Sequence, residues 1–270
     1  MIERMGFVGG GAMAEAIVRA LIGSDSIKTG RLIVSDPLAE RRAWLARQYD
    51  VETTADNRRA VSEASIVVLA VKPQQIPDVL DGLRGSLDED QLVVSVAAGV
   101  KLRTIADGLI HQRIVRVMPN TPAQIGAGMS VWTATDAVEE SLQAQVRTIL
   151  QCLGREVFVR DEEYLDMATA INGSGPAFVF LFLEAMADAA VHIGIPRAMA
   201  NELVIQTVLG STLMARETGQ HLAELKNRVT SPAGTTAEGL HALEDGRFRA
   251  VVDQAIRAAY ERSKALGAAK

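Results

Sequence analysis

Cysteine is almost absent from this chain. The single Cys152 among 270 residues excludes an internal disulfide. Met1-Ile2-Glu3-Arg4 leads straight into a first apolar stretch without the apolar core of a signal peptide, so a reducing, cytoplasmic setting is expected. Cys152 falls late in a predicted helix with no histidine nearby to ionise it, and is expected to pack as a small hydrophobe. Charge of one sign is not in excess: 28 Lys and Arg stand against 33 Asp and Glu, a net charge of −5, which gives no reason to expect a nucleic-acid partner. Long apolar runs are missing as well. The strongest, Phe178 to Leu183, meets Glu184 and Asp188 before the ~18–20 apolar residues that a membrane span needs, so no membrane is expected. The four histidines, His111, His192, His221 and His241, all lie outside the distinctive loops described below. No Cys or metal-ligand cluster accompanies them, and no metal is expected.

What is present is a large apolar fraction, 48%, in a chain longer than the usual ~100–200 residues of one domain, which predicts two domains. Through about residue 160, short β-branched runs alternate with helical patterns, the rhythm of a parallel sheet covered on both faces. Strands are predicted at 5–8, 32–35, 66–70, 92–95, 114–118 and 157–159, with weaker candidates at 51–53 and 129–133. Beyond Asp161 the strand signal stops and helical segments follow, punctuated by Gly-Ser-Gly-Pro at 173 to 176, Gly194-Ile195-Pro196 and Ser231-Pro232-Ala233-Gly234. The predicted fold class is α/β: a Rossmann-type, mostly parallel sheet over residues 1–161, then an all-α segment over 162–270. The helix from Pro176 to Ile193 is apolar nearly all round, which predicts burial on almost every side, in a fused domain or a dimer core. Its Glu184, Asp188 and His192 share one face, and a polar stripe explains them better than a metal site.

The first strand runs into Gly9-Gly10-Gly11-Ala12-Met13-Ala14 and an alanine-rich helix, the Gly-x-Gly-x-x-Ala order of a dinucleotide-binding turn. Gly9 permits the tight turn, Gly11 a close approach of backbone to pyrophosphate, and Ala14 close packing of helix on strand. The helix start offers unpaired N–H groups to phosphate. The second strand ends at Asp36, somewhat beyond the usual ~20 residues. Asp36 suits the ribose hydroxyls of NADH, whereas Arg41 and Arg42 suit a 2′-phosphate, and the sequence leaves both open. Asp36-Pro37 also fits the cap and first residue of a helix through Tyr49.

Ligands of open parallel sheets bind beyond the carboxyl ends of the strands. The loops there are Gly9–Met13, Ser35-Asp36, Val71-Lys72-Pro73, Val96-Ala97-Ala98-Gly99 and Met118-Pro119-Asn120-Thr121-Pro122. A further polar knot, Val229-Thr230-Ser231-Pro232-Ala233-Gly234-Thr235-Thr236, precedes a helical pattern; hydroxyls and free N–H groups at a helix start suit a small carboxylate. With no histidine or metal among these loops, an alcohol dehydrogenase would lack the base or metal that handles the hydroxyl proton. A protonated imine is already an electrophile and needs mainly orientation and a hydride donor.

Taken together, Gly-Gly-Gly-Ala-Met-Ala at 9 to 14, Ala-Val-Lys-Pro at 70 to 73, Met-Pro-Asn-Thr-Pro at 118 to 122, Gly-Ser-Gly-Pro-Ala-Phe at 173 to 178 and Val-Thr-Ser-Pro-Ala-Gly-Thr-Thr at 229 to 236 resemble the Δ1-pyrroline-5-carboxylate reductase family. The resemblance implies a Rossmann domain with a helical dimerisation domain, hydride transfer from NADPH (or NADH) to the imine of 1-pyrroline-5-carboxylate, and release of L-proline. It implies a homodimer in which the partner helps complete each site, and a decamer of five dimers as a larger form. By motif match Gly9, Gly11, Ala12 and Met13 would hold the pyrophosphate, and Ser35, Asn57, Lys72 and Ala98 would line the rest of the cofactor. Ser231, Gly234, Thr235 and Thr236 would meet the substrate, with Ser231 and the helix start on its carboxylate and Thr236, the catalytic candidate, hydrogen-bonded to the ring nitrogen. Two positions depart from the pattern. Ala233 stands where Gly is usual, tolerable if φ there is not positive, and Asn172 stands where Ser is usual. The competing expectations are a β-hydroxyacid-type dehydrogenase, which needs a lysine on the Pro176–Ile193 helix that this sequence lacks, and a non-catalytic NADP-sensing protein, which could dispense with the Ser/Thr knot.

Overall fold

The computed structural model describes residues 3–268. Its eight strands are β1 (Met5–Val8), β2 (Leu32–Ser35), β3 (Glu52–Thr54), β4 (Ile66–Leu69), β5 (Leu92–Ser95), β6 (Ile114–Met118), β7 (Gly128–Ala134) and β8 (Gly154–Phe158). They form one sheet in the order β3-β2-β1-β4-β5-β6-β7-β8. All neighbours are parallel except β6 and β7, so the sheet is mostly parallel, as expected. The weaker strand candidates are both real, displaced by a residue or so, and the last strand begins earlier than its apolar core suggested.

The helices are α1 (Ala12–Gly23), α2 (Ala39–Tyr49), α3 (Asn57–Val61), α4 (Ile76–Leu83), α5 (Leu102–Leu109), α6 (Glu140–Cys152), α7 (Glu163–Ala168), α8 (Gly175–His192), α9 (Arg197–Thr218), α10 (Leu222–Arg228), α11 (Thr235–Asp245) and α12 (Phe248–Ala268). The chain divides into two compact units, residues 1–174 with 259–270, and residues 175–258.

In the first unit, side chains alternate across the sheet, because successive strand residues point to opposite faces. Phe7, Ile17, Leu32, Val34 and Trp132 belong to one buried cluster and Val8, Val67, Leu69, Ile76 and Leu80 to the other. The strands are continuously apolar because both faces are covered. Arg116 on β6 is an exception. It is 2% exposed, with Nη1 donating to Glu162 Oε1 at 2.8 Å and Nη2 to Asp166 Oδ1 at 2.9 Å. A buried charge demands such partners, and here they tie α7 to the sheet. Cys152, the last residue of α6, is half-buried; its Sγ lies 3.3 Å from Thr148 O and 3.2 Å from Ser24 Oγ.

In the second unit, α8 and α9 are joined by a turn in which Gly194 has φ of 103°, and Asp188 pairs with Arg197 at 2.6 Å. Of the two expected settings for α8, burial within one chain's helical domain is not what the structure shows. Within the chain only Ala187 of this helix is buried, while Val179, Phe180 and Leu181 are 48, 62 and 65% exposed. The apolar character of the helix is therefore not accounted for by the fold of one chain. By length and composition alone the helical run Glu163–His192 is long and apolar enough to cross a membrane.

Candidate functional site

In the first unit the chain passes from β1 outward to β2 and β3, then crosses back to β4 on the other side of β1. Reversal of strand order opens a crevice at the carboxyl ends there, and the glycine turn sits in it. Gly9 N donates to Ser35 O at 2.9 Å and Ala70 N to Val8 O at 2.8 Å, so the turn is held from both neighbouring strands. Gly9 has φ of 95°, and a Cβ on it would lie 2.9 Å from Ala70 O and 2.8 Å from Val71 Cγ1. Only glycine makes this turn. Gly11 differs: a Cβ there would meet no protein atom within 4 Å. The protein's own packing therefore gives no reason for glycine at 11, whereas a ligand approaching the backbone does. Gly11 is also the N-cap of α1 and no side chain caps that end, which leaves the leading N–H groups of Ala12 and Met13 to an anion. These features fit the pyrophosphate of a dinucleotide.

The remaining cofactor candidates lie along the same edge of the sheet. Ser35, the last residue of β2, is fully buried, with Oγ 3.0 Å from Phe7 O and 2.7 Å from Asn57 Oδ1. A hydroxyl has one proton, so both contacts are satisfied when Ser35 donates to Phe7 O and accepts from an Asn57 amide turned the other way. Ser35 thus faces inward and orients Asn57, the half-buried first residue of α3. Lys72 is exposed just beyond β4, its N–H 3.3 Å from Gln75 Oε1. Ala98 is half-buried in the loop after β5, where Ala97 N donates to Ser95 Oγ.

Asp36 is not the helix cap expected of it, since α2 starts at Ala39 with Leu38 as N-cap. Its carboxylate is divided between two backbone amides: Oδ1 accepts from Leu38 N at 2.9 Å and Oδ2 from Gly10 N at 3.0 Å. The second bond draws Asp36 onto the glycine turn. Arg41 closes the same corner, with Nε donating to Gly10 O at 2.6 Å, Nη2 paired with Glu15 and the guanidinium 4.6 Å above the Trp44 ring. Tyr49 donates to Glu15 Oε1 at 3.0 Å. Burial, and after it the Glu15 carboxylate, raises the Tyr49 hydroxyl above its ordinary pKa. Glu15 and Tyr49 were not singled out from the sequence. An acid in the first turn after a glycine loop is commonplace at a helix start, and nothing local linked it to Arg41.

At the far side of this edge, Met118–Pro122 is held from two directions. Asn120 Oδ1 accepts from Met129 N at 2.9 Å, and Asn172 Nδ2 donates to Met118 O at 3.0 Å and Met129 O at 2.9 Å. Asn172 lies in a single π-helical turn, Thr169–Gly173. An amide supplies two protons to two carbonyls, which a serine hydroxyl cannot, so the departure at 172 has a structural account.

In the second unit, the 229–236 knot folds as a tight turn into α11. Gly234 is the N-cap, its N–H donating to Ser231 O at 3.1 Å, and its own carbonyl accepts from Ala237 N at 3.0 Å. Among the described residues the hydroxyls of Ser231, Thr235 and Thr236 make no hydrogen bond, and no side chain caps the helix. Ser231 and Thr235 are exposed and Thr236 half-buried. A Cβ on Gly234 would fall on Ser231 Oγ, so glycine is what admits the serine rotamer. Ala233 has φ of 56°, so the condition for tolerating alanine is not met, and the residue is held in the left-handed region. Three unpaired hydroxyls beside a free helix start can bind a carboxylate and a ring nitrogen; they offer no titrating base.

The pyrroline-5-carboxylate reductase dimerisation model matches residues 162–266, and the coenzyme F420-dependent NADP oxidoreductase model matches 4–99. The chain is 43% identical to the pyrroline-5-carboxylate reductase of Synechocystis over 267 residues, 99% of each chain. Among solved structures, the pyrroline-5-carboxylate reductase of Coxiella burnetii superposes with a TM-score of 0.89 at 36% identity, covering 98% of this chain and 99% of that one. The Plasmodium falciparum pyrroline carboxylate reductase, solved with NADP bound, gives 0.89 at 32% identity over 99% of this chain and 100% of that one.

Proposed function

The chain belongs to the pyrroline-5-carboxylate reductase family, and from that premise we propose how its own residues perform the reaction. The protein is an NAD(P)H-dependent reductase that converts 1-pyrroline-5-carboxylate into L-proline, the last step of proline biosynthesis. The bound nicotinamide supplies a hydride to the imine carbon; the nitrogen keeps its proton and becomes the ring amine. Gly9 shapes the turn, and Gly11 with the N–H groups of Ala12 and Met13 receives the pyrophosphate. Ser35 orients Asn57 toward the adenosine side, while Lys72 and Ala98 line the nicotinamide side. Ser231 and the start of α11 take the substrate carboxylate, where the positive end of the helix dipole favours an anion. Gly234 fixes the Ser231 rotamer, and Thr235 adds a second hydroxyl. Thr236 accepts the proton of the iminium nitrogen in a hydrogen bond, orienting the ring and favouring its electrophilic, protonated form.

The observation that carries this reading is the set of unpaired hydroxyls at an uncapped helix start, with Glu238 in its first turn and no histidine or lysine among the 229–236 residues. Such a site suits an imine and leaves a hydroxyacid dehydrogenase without its lysine, since α8 contains none. An NADP-sensing protein would have no use for the set.

The same proposal assigns nucleotide binding to residues 1–161 and dimerisation and substrate binding to 162–270, supported by the dimerisation model beginning at 162. The working unit is a homodimer in which the partner covers the apolar side chains of α8 and completes each site; a ring of five dimers is the larger form. A cytoplasmic setting accords with the single Cys152. The test is nucleotide oxidation by the purified protein on addition of 1-pyrroline-5-carboxylate, run with NADPH and with NADH. Activity should fall about 10–100-fold in Thr236→Ala, the loss of a hydrogen bond to a charged group, with nucleotide affinity retained. Absence of imine-dependent oxidation with either nucleotide refutes the reading.

A further inference from the structure

The corner where β2 meets the glycine turn carries a second message, about which nucleotide the chain favours. In this fold the adenosine ribose is read by the residue that follows β2, an acid for a 2′-hydroxyl and an arginine for a 2′-phosphate. This chain has both kinds of residue, and the structure shows what each is doing. Asp36 presents a carboxylate drawn onto Gly10 N at 3.0 Å, so a negative charge sits at the ribose end of the turn. Arg41 is committed elsewhere: Nε to Gly10 O, Nη2 to Glu15, its plane on Trp44. The Arg41 and Glu15 side chains are 25 and 26% exposed, so their mutual neutralisation is only partly screened by water. Tyr49 holds Glu15 from the other side at 3.0 Å. Arg42 spends Nη1 on Asp36 O at 2.7 Å and Pro37 O at 2.9 Å and keeps only its other edge.

We propose that Asp36 and Glu15 are specificity-determining residues that hold down affinity for a nucleotide 2′-phosphate relative to a 2′-hydroxyl. Asp36 acts directly, accepting from a ribose hydroxyl and repelling a phosphate. Glu15 is a positioning residue that neutralises Arg41 and keeps its guanidinium on the glycine turn. Arg42 still admits NADPH, so the pair tunes a preference rather than excluding one cofactor. The inference rests on the reductase reading above, in that it presumes a dinucleotide on this turn.

The test is calorimetric binding of NADPH and of NADH to the full chain without substrate, for the wild type, Asp36→Ser and Glu15→Gln. Asp36→Ser removes the charge, and should lower the ratio of the NADPH to the NADH dissociation constant at least about tenfold, tightening NADPH while weakening NADH. Glu15→Gln keeps hydrogen bonds to Arg41 and Tyr49 but frees the arginine charge; it should tighten NADPH at least about threefold and leave NADH within about twofold. A ratio within about twofold of wild type in both variants overturns the proposal. A change in Asp36→Ser alone overturns the part assigned to Glu15. Failure of the wild type to bind either nucleotide would instead overturn the reductase reading.

Discussion

Replacing Gly234 with alanine separates substrate recognition from folding. The new Cβ falls on Ser231 Oγ and lies 3.1 Å from Ser231 O. The hydroxyl hangs from one rotatable bond and can swing away, and Gly234 has φ of −81° and ψ of 165°, which alanine adopts freely. Folding should therefore change by less than about 1 kcal/mol: alanine is a poorer N-cap than glycine but loses less freedom on folding. The functional cost is larger. If Ser231 donates to the substrate carboxylate, displacing its hydroxyl forfeits a hydrogen bond to a charged group, about 1.5–3 kcal/mol, or roughly 10–100-fold in kcat/KM at 1.4 kcal/mol per tenfold. The carboxylate contact is made equally in ground and transition states, so the loss belongs in KM rather than kcat. Steady-state kinetics with varied 1-pyrroline-5-carboxylate at saturating nucleotide, together with a thermal melt, provide the assay. Ser231→Ala should raise KM by a similar factor, and the double variant should add little, because both changes remove one interaction. An unchanged KM in Gly234→Ala, or additive losses in the double variant, refutes the reasoning.

Ala233 is held at φ of 56°, so Ala233→Gly should stabilise the chain by up to about 1 kcal/mol, the left-handed penalty less the greater freedom of glycine when unfolded; an unchanged or lower melting temperature contradicts this. Arg116→Met strands the Asp166 and Glu162 carboxylates and should cost about 3 kcal/mol, read as a lower urea midpoint. The cost sits at the low end for a buried pair because Glu162 keeps the Leu102 N–H at 2.8 Å. Tyr49 has its pKa raised by burial and by Glu15, so its contribution to stability is complete below the ordinary phenol value of about 10 and is lost as pH rises through the folded value. Alkaline melts of the wild type should therefore fall more steeply than those of Tyr49→Phe, and parallel curves would sink the assignment.

Much of the nucleotide half was legible because its determinants are local. A glycine turn between an apolar strand and an alanine-rich helix leaves few conformations, and Gly9 makes the tight turn its spacing suggested. The pairing of Asp36 with Gly10 was not legible, since its 26-residue separation is closed only by the sheet. The double clamp of Asn172 on Met118 and Met129 spans 54 and 43 residues and left no periodic trace. At Ala233 the residue type pointed the wrong way: alanine suggests an ordinary φ, and the turn into α11 overrides that preference. For α8 the all-round apolar composition has no counterpart within one chain, where only Ala187 of the helix is buried.

The central claim is hydride transfer to an imine carbon oriented by hydroxyls. Its most direct test is reduction of 1-pyrroline-5-carboxylate by the purified protein with nicotinamide nucleotide carrying deuterium at the transferable position, followed by NMR of the product. The account predicts L-proline with one deuterium on the ring carbon bonded to nitrogen that does not bear the carboxylate. Unlabelled proline, or deuterium elsewhere in the ring, would contradict it.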